Sequence, residues 1–157
     1  MKVSRHRTIA ALPETVWRIV SPAERMPEWY SGVETASHTE GSAAGVGRRQ
    51  AAVRDLRWHR VDMLLEVIAW EPRRRLDLRH VEERIQGRLV TGVRDFVTSV
   101  TIAPQGEAAH VTIEDRWRAR FGIPWLQSVL AGGRVMGREL DETLRRLDAA
   151  ALKEQAA

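Results

Sequence analysis

The spacing of apolar residues along this chain changes period three times, and each change marks a new kind of element. Val3 and Ile9 share the parity of a strand over residues 2–11. Pro13 then opens a short helix at its first position, with Val16, Trp17 and Val20 on the apolar side. Ser21-Pro22-Ala23-Glu24 has the form of a capping box and predicts a second short helix that stops near Pro27. From residue 32 to 119 the signals are strands and turns. Strands are predicted over 46–54, 60–70, the neighbourhood of His80, 88–103 and 109–120. Residues 41–45 read as a loop, and Glu71-Pro72 and residues 104–107 as hairpin turns. Val111, Ile113, Asp115 and Trp117 alternate with His110, Thr112, Glu114 and Arg116, as in a half-buried antiparallel strand. Phe96, Thr98, Val100 and Ile102 do the same one strand earlier. Near Pro124 the period becomes helical. Leu126, Val129, Leu130, Met136, Leu140, Leu144 and Leu147 follow mostly at three- and four-residue steps, giving a helix to about residue 152.

Strands grouped together, with helices segregated from them, predict an α+β fold. A curved antiparallel sheet must cover one face with the long C-terminal helix, with two short helices between the first two strands. Such a pairing leaves a space where small molecules bind. Gly132, Gly133 and Gly137 lie inside the long helix, where each costs up to about 1 kcal/mol against alanine. They remove side-chain bulk from the wall facing the sheet, and Gly133 is read as part of a ligand site. The chain has 157 residues, which suits one domain, taken as 1–152 with a flexible tail at 153–157.

Composition narrows the chemistry. There are no cysteines, which removes disulfides, thiolate nucleophiles and thiolate metal ligands, and suits a reducing cytoplasm. The five histidines show no paired ligand spacing, so no metal is expected, and no cofactor fingerprint is present. No apolar run is long enough for stable membrane insertion. The net charge is +4, but arginines are interleaved with acids except at Arg73-Arg74-Arg75, which reads as a solvated turn and not as a nucleic-acid surface. Oligomeric state has no signature here.

Thr8-Ile9-Ala10-Ala11-Leu12-Pro13-Glu14-Thr15-Val16-Trp17, Trp29, Gly45-Val46-Gly47-Arg48 and Glu71-Pro72-Arg73-Arg74-Arg75-Leu76 together resemble the polyketide cyclase/dehydrase and lipid-transport family, within the START-like (SRPBCC) superfamily. The resemblance covers nearly the whole chain and implies the helix-grip fold. It implies one of two functions. One is binding of a hydrophobic small molecule or lipid between sheet and helix. The other is cofactor-independent cyclase, aromatase or dehydratase chemistry. It selects no catalytic residue.

Candidate site residues follow from strand parity. Asp115 shares its face with Val111, Ile113 and Trp117, and Arg94 shares its face with Phe96 and Thr98. An Arg94–Asp115 pair would orient a polar ligand group or serve a base, and a structural ion pair is the alternative. His80 shares parity with Leu76 and Leu78 and would move a proton near neutral pH. Phe96, Thr98, Trp117, Trp125 and His59 are the expected ligand contacts, His59 at the mouth and Trp125 as a gate. Trp17 and Trp29 are read as packing residues. Arg5 and Arg7 are expected at the sheet edge or paired with acids on the adjacent strand.

Overall fold

The computed structural model describes the backbone of residues 1–119 and 123–157, and the side chains of residues 1–118 and 132–157. β1 (Lys2–Ile9) leads into α1 (Pro13–Val20), a 3-10 turn (Ala23–Arg25) and α2 (Met26–Trp29). β2 (Val33–Glu40), β3 (Arg49–Leu56), β4 (His59–Glu71), β5 (Arg75–Ile85), β6 (Arg88–Leu89), β7 (Val93–Gln105) and β8 (Ala108–Ala119) follow. α3 (Ile123–Ala156) ends the chain. The main sheet order is β1-β8-β7-β5-β4-β3-β2, every pair antiparallel, with β6 hung on β5. The α+β helix-grip architecture is therefore present, with a long helix on one face of a curved sheet.

The core lies between the inner sheet face and the helices. Leu65, Leu76, Leu78, Val100, Val111 and Ile113 supply the sheet side. Leu140, Leu144, Leu147 and Ala151 supply the helix side at steps of four, three and four, one stripe of a 3.6-residue helix. Fully burying one such leucine contributes about 1.5–3 kcal/mol. α1 adds Val16, Ile19 and Val20, and Trp29 closes α2 against the same core. Trp17 packs edge-on to Trp70, with ring centroids 5.0 Å apart.

Three local expectations need correction. Ser21 and Glu24 form no capping box: the side-chain caps are absent, and the Glu24 carboxylate accepts from the His38 backbone N–H at 3.3 Å. A carboxylate that finds a strand amide close in space has no need to reach back to its own helix. Pro27 does not stop α2 but sits in its first turn, where a missing N–H costs nothing. α3 continues past residue 152 to Ala156, and in its last turn Glu154 accepts from Arg25 at 2.9 Å.

Arginines fasten α3 to its surroundings. Arg5 and Arg7 of β1 meet Asp141 (3.4 Å) and Asp148 (2.8 Å) on the helix, so their acids come from α3 and not from the neighbouring strand. Arg54 of β3 pairs with Glu139, and Arg146 donates to the Pro27 carbonyl at 2.9 Å. Arg48 is buried without a carboxylate partner among the described residues. It donates to the carbonyls of Ser21 (2.6 Å) and Ala43 (3.1 Å) and to Gln50 Oε1 (2.7 Å), and its guanidinium lies 5.2 Å from the Trp70 ring centre. It thereby ties the 41–48 loop to the end of α1. Gly41 in that loop has φ +76°, and a Cβ there would stand 2.7 Å from the Gly47 carbonyl oxygen, so only glycine fits.

Candidate functional site

One inner row of the sheet builds the site. Thr98 stands directly opposite Leu78 on one side and Asp115 on the other, and Asp115 is opposite Val3. Cross-strand neighbours on one face lie close enough to bond directly. The Thr98 hydroxyl donates to Asp115 Oδ1 at 2.6 Å, and both residues are buried. His80 Nε2 lies 3.1 Å from the same hydroxyl oxygen, and the Tyr30 hydroxyl 3.5 Å from it. His80 Nδ1 bonds to Glu83. Thr98 is therefore the hub of a chain running Glu83–His80–Thr98–Asp115.

Glu83 reaches this chain through a bulge. The β4–β5 register pairs Leu64 with Glu82 but Leu65 with His80, so Val81 has no partner. The extra residue shifts parity by one and brings Glu83 onto the face of His80. A second irregularity does the opposite to Arg94. The β7–β8 register shifts between Arg94 and Val97, and Asp95 takes φ 54°, the left-handed region that Asp tolerates better than most residues. Arg94 consequently pairs with Arg118 on the outside and is exposed. The Arg94–Asp115 pair does not form. Phe96 stays inside, its ring 4.3 Å from His80 and stacked on Trp117 at 5.9 Å. His59 is exposed at the β3–β4 hairpin, beside Gln86, and is not among the residues lining the inner cavity. The Trp125 side chain lies outside those described. Gly133 lies on α3, where an added Cβ would meet no described atom within 4 Å.

A cavity of about 130 Å³ opens onto this chain. Asp115, His80, Glu83 and Phe96 form its sheet wall, with Arg54 beside them. Tyr30 enters from α2, and Met136, Glu139, Leu140 and Thr143 from α3. Tyr30, Arg54, Glu139 and Thr143 had no sequence signal: each is brought in by another element. Arg54 donates to the Ser31 carbonyl at 3.0 Å, and Thr143 accepts from the Ser31 amide at 3.1 Å, so both α3 and β3 grip the end of α2. The Arg54 guanidinium lies 5.2 Å from the Tyr30 ring centre.

The electrostatics pull the two carboxyls of the chain in opposite directions. Burial raises the Asp115 pKa, against the lowering effects of the Thr98 bond and of the charges on His80 and Arg54. Burial also opposes ionisation of Glu83, but its bond to His80, with the His80 and Arg54 charges, prevails and holds the carboxyl below its ordinary value. Burial and the neighbouring Asp115 push the Tyr30 hydroxyl well up, so it remains an O–H donor. Among the described residues no three His, Asp or Glu side chains converge as metal ligands, and no helix is long and apolar enough to cross a membrane.

Known structures share this architecture. A Thermus thermophilus protein is 19% identical, covers 98% of each chain and superposes with a TM-score of 0.77. A Nitrosospira multiformis protein is 16% identical over 100% of both chains, with a TM-score of 0.74. A START superfamily protein from Mycobacterium smegmatis is 16% identical over 98% of this chain and 95% of its own, with a TM-score of 0.67. At such identities the likeness is one of fold. No curated protein matches the chain. The family model described as polyketide cyclase / dehydrase and lipid transport matches residues 1–152, and the chain belongs to that family.

Proposed function

We propose that the cavity holds a small hydrophobic ketone or related carbonyl compound and that the Asp115–Thr98–His80 chain moves a proton on it, without a cofactor. The observation that carries this reading is the proton inventory of the chain. A hydroxyl has one proton to give. When Thr98 donates to Asp115, it accepts from the His80 Nε2–H, and Nδ1 keeps its proton toward Glu83. When Asp115 holds the proton and donates to Thr98, Thr98 donates to His80 Nε2, and the Nδ1 proton still faces Glu83. The two arrangements contain the same protons and interconvert through the Thr98 hydroxyl.

A relay of this kind lets a buried carboxyl serve as base in one arrangement and as acid in the other. The Asp115 carboxylate takes a proton from the carbon beside the ketone. The C–H electron pair passes into the carbonyl, whose oxygen becomes an enolate. The Tyr30 O–H and the Arg54 charge border the same space and favour that negative oxygen. Return of the proton to a different carbon, or to a departing hydroxyl that leaves as water, completes an isomerisation or a dehydration. A carrier has no need for four linked titratable and hydroxyl groups at the wall of its cavity.

The test is exchange of the α-protons of 2-butanone in D2O, followed by NMR. Asp115→Asn should slow the protein-catalysed rate by about 10²- to 10⁴-fold, the range of general acid–base contributions. An unchanged rate would refute the reading. A second reading, a carrier of hydrophobic molecules, is favoured by the Phe96–Trp117 stack and by Met136 and Leu140 at the cavity. Native mass spectrometry showing a co-purified lipid, with no exchange activity, would favour it.

A further inference from the structure

The ladder between β5 and β7 ends at Arg79 and Val97. Beyond that point β5 pairs with β6 and β7 pairs with β8, so a wedge opens in the sheet itself. The wedge holds about 200 Å³. Val81, Leu89, Val90 and Val93 give it an apolar surface. Three of these remain strongly exposed, Leu89 at 52%, Val81 at 42% and Val93 at 38%, although they surround one recess. Apolar side chains gathered around a recess lower their free energy when something apolar covers them.

His80, Glu83 and Phe96 line both this wedge and the inner cavity. One layer of side chains therefore separates the two. Each space alone falls short of the roughly 300–1,000 Å³ usual for small-molecule sites, and the two joined reach the lower bound of that range. Glu82 and Asp95, at the polar side of the wedge, disfavour an anionic occupant.

We propose that the wedge is the apolar subsite of the same ligand, whose carbonyl end lies at His80 and Asp115 and whose uncharged aliphatic or single-ring portion passes between β5 and β7. This rests on the ketone reading above and adds the substrate class: an amphipathic ketone with a short apolar tail, entering through the sheet. Phe96, between His80 and Trp117, is the partition that the tail displaces.

The experiment uses 2-alkanones from four to ten carbons, with affinity and contact site followed by NMR shifts of the His80 ring and the Val93 and Leu89 methyl groups. Affinity should rise about four-fold per added methylene until the wedge is filled, and the longer ketones should shift the Leu89 and Val93 signals. Val93→Trp and Leu89→Trp place bulk in the wedge from exposed positions, so both should fold. Each should abolish the gain with length while 2-butanone still shifts His80 as in the wild type. Length dependence unchanged in both variants would overturn the subsite and leave the ketone site intact. If no ketone shifts His80 in the wild-type protein, the ketone reading fails, and the subsite falls with it.

Discussion

Replacing Thr98 by valine tests the hub of the site through stability alone, with no substrate needed. The two side chains are close in shape, so the change removes one hydroxyl from a fully buried position and little else. Asp115, 5% exposed, then has no donor from Thr98, and His80 Nε2 loses its partner. A hydrogen bond to a charged group contributes about 1.5–3 kcal/mol and a neutral one about 0.5–1.5 kcal/mol. At pH 7 the loss should be about 3 kcal/mol, out of the roughly 5–15 kcal/mol that stabilises a domain of this kind. The sign of the pH dependence follows from Asp115. Its folded pKa is already raised by burial, and removing the Thr98 bond raises it further. Where Asp115 is protonated in both folded proteins, only the neutral bonds of Thr98 are lost and the charge-linked part of the penalty is absent. The penalty grows as pH rises through the raised folded value of the wild-type Asp115, because the wild type then ionises against a Thr98 bond that the variant lacks. Urea unfolding should therefore give a deficit of about 1 kcal/mol at pH 4 and about 3 kcal/mol at pH 7. Adding Asp115→Asn should remove most of the pH dependence. A deficit below about 0.5 kcal/mol at both pH values would refute the hub.

Four further outcomes are expected. Glu83 has a lowered pKa, so its carboxylate stabilises the fold above its ordinary value of 4.5 and ceases to do so as pH falls through the folded value; Glu83→Gln should flatten the acid limb of a stability–pH curve. Gly133→Ala meets no described atom within 4 Å and should stabilise the helix by about 0.5–1 kcal/mol in thermal unfolding; a gain in stability joined to a loss of ketone affinity would place the ligand against that turn. Arg48→Ala leaves two buried acceptors, the Ser21 carbonyl and Gln50 Oε1, and the part-buried Ala43 carbonyl without their donor and should cost about 3–5 kcal/mol by urea unfolding. Truncation after Lys153 removes the Glu154–Arg25 pair, which lies at the surface, and should leave the urea midpoint close to that of the full chain.

The fold was legible because its signals are long. Alternation across 109–119, the helical stripe from Leu126 to Leu147 and the Pro13 start each span several residues, so one exception does not erase them. The inner polar set was legible only as far as the alternation stayed regular: parity put His80, Thr98 and Asp115 each on an apolar face, but it named Arg94 as the partner of Asp115 and not the Thr98 bond that joins the three. It failed where a single extra residue intervenes. The bulge at Val81 brings Glu83 in, and the shift beside Asp95 sends Arg94 out. Neither Val81 nor Asp95 is a glycine or a proline, so nothing local announces a bulge. Tyr30, Arg54 and Glu139 were invisible for another reason. Each comes from a different element, and only the packing of α2 and α3 over the sheet brings them to one cavity. Glu24 shows the same limit at a helix end, because its preferred donor lies on β2.

The arginine fastenings of α3 give the net charge a different meaning. Arg5, Arg7, Arg25 and Arg54 reach the helix from β1, the 3-10 turn and β3, and each takes an acid there. These four cations are thereby engaged within the fold, as a row of latches along a lever, and the charge they carry is answered on the helix. Each exposed latch contributes at most about 1 kcal/mol and weakens as salt shortens the reach of charge to about 8 Å. The leucine stripe holds the lever's hinge whatever the ionic strength. Added salt therefore loosens the rim of the helix while the leucine stripe beneath keeps its place, so the fold's response to the electrolyte is confined to the outer edge of the lever.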